Sequence, residues 1–129
     1  MADRRAKEPP LRDVAGMVRS FDYAAWSILM QADSVRPGAA EQLEALAMDW
    51  RNRAREAFLT AYRQAAAGCS AIPEDQETFH RLVTVFLIEK ACYEIAYEAA
   101  QRPSWLVVPM RGLLSLLAPE EMKTDGPTG

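Results

Sequence analysis

The chain has 129 residues, a hydrophobic fraction of 50%, a charged fraction of 26% and a formal net charge of −3. That length supports one core and one domain, and the composition argues against wholesale disorder. The slight acidic excess argues against a nucleic-acid protein, the apolar run over 82–88 is far short of the about 20 residues that span a bilayer, and no apolar segment follows the basic start as in a secretory signal. The expectation is a cytoplasmic globular protein with no nucleic-acid or membrane partner.

Residues 1–10, ending Glu8-Pro9-Pro10, read as an extended lead-in. Asp13 is placed to cap a first helix over 14–32, whose apolar stripe is Val14, Met17, Val18, Phe21, Ala25, Ile28 and Leu29. Gly16 inside it costs about 1 kcal/mol relative to Ala, which points to a close approach there. The breakers over 33–38 make a loop, and a second helix follows to about residue 67. It carries Leu43, Leu46, Trp50, Phe58 and several alanines on one face, with Gly68 closing it.

A third helix begins after Pro73, with Glu74 and Asp75 in its first turn, and stops at Arg102-Pro103. Leu82, Val83, Val85, Phe86, Leu87 and Ile88 make it apolar nearly all round, as in a central helix covered on several sides. Trp105 to Val108 read as a short extended link, and Pro109 suits the first position of a last helix ending near residue 118. Residues 119–129 read as a flexible tail. The fold class is therefore all-α, a helical bundle over 11–118 built around the third helix.

Cys69, Cys92 and His80 are too few and too badly spaced for a disulfide framework or a zinc site. Cys92 reads as a small core residue, His80 as a surface residue and Cys69 as a loop thiol without a basic neighbour to activate it. No phosphate-cradling glycine loop, calcium loop or nucleophile elbow is present. The residues thus assign no catalytic group, no metal site and no cofactor to this chain.

Two blocks carry a family resemblance. The first is Pro10-Leu11-Arg12-Asp13-Val14-Ala15-Gly16-Met17-Val18-Arg19-Ser20-Phe21-Asp22-Tyr23-Ala24-Ala25. The second runs from Glu89-Lys90-Ala91-Cys92-Tyr93-Glu94 through Tyr97-Glu98 to Arg102-Pro103-Ser104-Trp105-Leu106-Val107-Val108-Pro109. In this order and at this distance they resemble the carboxyl-terminal lobe of maltokinases, including the maltokinase part of trehalose synthase–maltokinase fusions. Glucosamine kinases resemble maltokinases through the same region, so glucosamine or another sugar is the alternative substrate.

The resemblance implies a piece of a protein-kinase-like, aminoglycoside-phosphotransferase-like C-lobe. The intact enzyme would pass phosphate from ATP, with magnesium, to maltose, giving maltose 1-phosphate for α-glucan synthesis. Its implied partners are upstream kinase lobes or a trehalose synthase domain, with homo-association as a further possibility. The family's H-G-D-x-H and D-F-E-G motifs, which supply the catalytic Asp and metal ligands, do not occur here, so the chain alone is expected to be inactive.

The same resemblance assigns Tyr23, Glu94 and Arg102 to sugar binding. Pattern alone gives blander readings: Tyr23 and Trp26 pack on the second helix, and Lys90–Glu94 and Glu98–Arg102 form ordinary i,i+4 pairs. Tyr93 and Tyr97 could line the same pocket, and Trp105 would anchor the link onto the bundle. A free-standing helical module that docks on a protein partner is the rival reading from another class.

Overall fold

In the computed structural model, residues 10–118 are described, and they form four α-helices and one 3₁₀ turn. Helix α1 spans Pro10–Val35, α2 Ala39–Ala65, α3 Gln76–Gln101 and α4 Val107–Leu117, with the 3₁₀ turn at Pro103–Trp105. No strand occurs among the described residues, in keeping with an all-α bundle. The expected tail lies outside them, as does the lead-in apart from Pro10, which opens α1 instead of preceding it.

Asp13 does not cap α1; it lies within the first turn, where a carboxylate still meets the positive end of the helix dipole. The helix continues to Val35, so the breaker-rich loop shrinks to Arg36–Gly38. Gly38 takes a φ of 88°, and the Asp33 carboxylate accepts from its N–H at 2.8 Å and from Ala40 N–H at 3.3 Å. Asp33, at the end of one helix, thereby caps the next. Gly68 beyond α2 is also left-handed, at φ 87°, as its closing role requires.

Helix α3 starts on a side-chain cap. The Asp75 carboxylate accepts from Thr78 N–H and Thr78 Oγ1, both at 2.8 Å, so Asp75 sits before the first turn and not within it. Those bonds also hold its pKa below the ordinary carboxylate value.

The core joins Leu11, Val14, Ala15 and Val18 of α1 to Phe79, Val83 and Leu87 of α3, with Ile72 of the α2–α3 connection. Helix α1 packs on α2, α3 and α4, so α1 and not α3 is the centre of the bundle. One straight stripe of α3 is covered: Phe79, Val83, Leu87, Ala91, Glu94 and Glu98. Leu82 and Val85 on its other sides are exposed, which corrects the expectation of a helix enclosed all round. Cys92 is exposed as well, because its neighbour Ala91 takes the buried position.

On α1, Met17 and Ile28 drop out of the buried stripe, and Arg19 joins it. Helix α2 buries Ala39 fully, while Phe58, Leu59 and Tyr62 pack half-buried on the core and Leu46 and Trp50 face outward. The expected extended link after Trp105 is absent. Trp105 and Leu106 N–H bond back to the carbonyls of Arg102 and Pro103, and α4 begins at Val107, which places Pro109 third in the helix. A proline is tolerated there because the first four helical N–H groups have no partner within the helix. Val108 and Pro109 are buried, and that burial overrides the strand preference of two adjacent valines.

Candidate functional site

The buried stripe of α3 turns from apolar to acidic one helical turn at a time, from Ala91 to Glu94 to Glu98. A carboxylate on a covered face needs a partner, because desolvating a charge costs several kcal/mol unless it is paired. Both glutamates find partners, and the two sets differ.

Glu94 Oε1 accepts from Arg19 Nε of α1 at 2.8 Å, and the Arg19 side chain is 3% exposed. Arg19 Nη1 also bonds Asp22 one turn further along α1, and Asp22 in turn meets Arg51 of α2 at 3.3 Å. The chain Glu94–Arg19–Asp22–Arg51 thus ties α3, α1 and α2 through charge. It exists because α4 yields at Gly112: a Cβ there would stand 2.9 Å from the Arg19 Cζ. Gly16, by contrast, has open space where a Cβ would be, so the close approach expected at Gly16 occurs at Gly112. Burial raises the Glu94 pKa above its ordinary value, against the opposing pull of Arg19.

Glu98 is 1% exposed, and both its oxygens accept from Arg102, from Nε at 2.9 Å and Nη2 at 2.8 Å. The Tyr23 hydroxyl lies close enough to the Glu98 carboxylate for each to act on the other's proton. The Arg102 bonds hold the Glu98 carboxyl below its ordinary pKa, while burial and the Glu98 carboxylate push the Tyr23 hydroxyl up. Tyr23 stacks nearly parallel on Trp105, with centroids 6.1 Å apart, and the Arg102 guanidinium lies 4.5 Å from the same indole.

Of the residues assigned by sequence, Tyr23 and Arg102 therefore meet through Glu98 and Trp105. Glu94 stands one turn earlier, close enough for its charge to act on Tyr23. Glu94 pairs with Arg19, and Lys90 lies over Tyr93 at 5.2 Å, so the expected Lys90–Glu94 pair is not made. The Glu98–Arg102 pair is made. Trp26 leaves the cluster and packs beneath Arg111 at 5.0 Å. Tyr93 and Tyr97 are largely exposed on the free side of α3.

Sequence reasoning underrated Glu98 and Arg19. Their signal was present: two glutamates four apart, in line with Phe79, Val83, Leu87 and Ala91, demand a buried cation. Chemically the cluster offers an aromatic face, a fork of N–H donors and two carboxylates, a set that binds hydroxyl groups. Among the described residues no three His, Cys, Asp or Glu side chains converge to hold a metal ion.

No family model matches the chain. A glucosamine kinase from Streptacidiphilus jiangxiensis is 31% identical to it over 123 residues, which is 95% of this chain and 26% of that enzyme. The chain thus spans about a quarter of the length of that relative, and resembles a segment of a sugar kinase.

Proposed function

We propose that this chain is the sugar-binding helical segment of an ATP-dependent sugar kinase. The observation that carries the reading is the Tyr23–Trp105–Arg102–Glu98 cluster at the end of α3, lying within the stretch similar to a glucosamine kinase. Tyr23 and Arg102 contact the sugar, and Glu94 supplies a carboxylate for its hydroxyls. The substrate is maltose, converted to maltose 1-phosphate, with glucosamine as the competing sugar. ATP and magnesium belong to lobes outside this segment, and no step involving them is assigned to the described residues. Exposed apolar side chains such as Leu46, Leu114 and Leu117 suit the docking of those lobes, of a trehalose synthase domain or of a second copy.

Titrating the full chain with maltose and with glucosamine, followed by amide and indole NMR shifts, tests the reading. Trp105, Tyr23 and Arg102 should shift, with dissociation constants on the order of millimolar, and Arg102→Ala should weaken the response about tenfold. Shifts scattered over the surface, or wild-type binding in Arg102→Ala, would overturn the site. The purified chain should transfer no phosphate from ATP to either sugar, and turnover by it would overturn the incomplete-kinase reading.

A further inference from the structure

Among the described residues most arginines find a carboxylate; Arg36, which bonds Gln42, does not, and neither do Arg55 and Arg63 of α2. Arg55 Nη2 reaches Asn52 Oδ1 at 3.5 Å, and that oxygen already accepts from Arg51 at 2.9 Å. Arg63 donates to the Glu74 carbonyl at 3.3 Å and lies over Phe79. Both border a groove of about 430 Å³ between α2, α3 and the end of α4, which also takes in His80 and Ser115. The acid of this groove is Glu56, at an exposed position. A groove this size admits a ligand the size of a small phosphorylated sugar or organic acid.

Arg55 and Ser115 also border a second cavity of about 20 Å³, room for one water, together with Arg19, Arg51 and Gly112. Arg19 Nη2 is buried there without a hydrogen-bond partner. The carboxylates here, Asp22 and Glu94, pair with Arg19 and Arg51, and among the described residues neither forms an ion pair with Arg55. Burial first and then Arg51 lower the Arg55 pKa, against the opposing pull of Asp22 and Glu56. A guanidinium that lacks an acid and faces a cavity with a hydroxyl on its far wall is arranged to receive an oxyanion.

We propose that this groove binds a small oxyanion-bearing metabolite, its phosphate or carboxylate seated between Arg55 and Ser115 and its body extending toward His80. This site shares no residue with the Tyr23–Glu98–Arg102 cluster and does not depend on the kinase reading.

The test is NMR titration of the full chain, at constant ionic strength, with inorganic phosphate, glycerol 3-phosphate and acetate. Shifts should concentrate at Arg55, Ser115 and His80. Saturation by the two phosphates alone assigns a phosphoryl ligand, and saturation by acetate alone assigns a carboxylate; either supports the site. Arg55→Gln should weaken binding about tenfold or more, the equivalent of one charge-assisted hydrogen bond. Ser115→Ala, at an exposed position of the opposite wall, should weaken it severalfold and gives a reading even if Arg55→Gln does not fold. Arg53→Gln, exposed on the same helix and paired with Asp49, should bind as wild type. No localised shift with any probe, or equal weakening in Arg53→Gln, would overturn the proposal.

Discussion

Glu94 and Glu98 lie one turn apart on the same covered face of α3, yet their surroundings push their protons in opposite directions. Glu94 meets a guanidinium that is itself buried and already shared with Asp22. Glu98 meets a guanidinium that is half in water and offers both fork donors to it alone, with a tyrosine hydroxyl added. A buried cation does not by itself make a buried carboxylate comfortable. Burial outweighs the Arg19 pairing at Glu94, whereas at Glu98, beside a half-exposed guanidinium, the hydrogen bonds outweigh burial.

The largest test of that contrast is Arg19→Ala. Removing the cation leaves Glu94 and Asp22 without their shared partner, so stability should fall by about 3–5 kcal/mol in urea unfolding. A loss below about 1 kcal/mol would mean that water already compensates Glu94, as at a surface pair.

Gly112→Ala comes next and turns on a sign. In an open helix the change should stabilise by about 1 kcal/mol. Here the new Cβ meets Arg19, so the net expectation is a loss of about 1–2 kcal/mol, read as a lower thermal midpoint. Stabilisation would show that Arg19 moves aside freely, and with it that Glu94 is not held in place.

Arg102→Ala should lower the urea midpoint less than either change, because its guanidinium is half exposed. The Glu98 carboxyl should then titrate closer to its ordinary value, and a midpoint loss equal to that of Arg19→Ala would erase the contrast.

The smallest effect is in the pH profile. Glu98, with a depressed folded pKa, contributes stability that is present above its unfolded pKa and lost as pH falls through the folded one. Glu94, with a raised folded pKa, contributes in the opposite sense, present below its unfolded pKa and lost as pH rises through the folded one. Carboxyl-carbon NMR should therefore show Glu98 titrating below the ordinary glutamate value and Glu94 above it, and the reverse order would break the comparison.

Much of the bundle was legible in the sequence because its punctuation is local. Gly68 adopts the left-handed turn expected of it, and Arg102-Pro103 ends α3. Where reading failed, a distant contact had overridden a local preference. Val107 and Val108 became helical because α4 buries Val108 and Pro109, and Cys92 faces out because the stripe of α3 passes through Ala91. The candidate site was half legible: Tyr23 and Arg102 do meet, but the residue that joins them, Glu98, carried only the signal of an acid in an apolar stripe.

Apart from the start of α4, the sequence by itself determined where the helices lie, since a helix is made of bonds four residues apart and ends where glycine, proline or a capping carboxylate changes those bonds. The tertiary structure alone decided which cation each buried acid receives. Arg19 and Glu94 are 75 positions apart, and the Gly112 backbone that makes room for their pairing comes from a third helix. Whether a charge gains or loses by burial depends on everything packed around it, and packing brings together parts of the chain that share no local pattern.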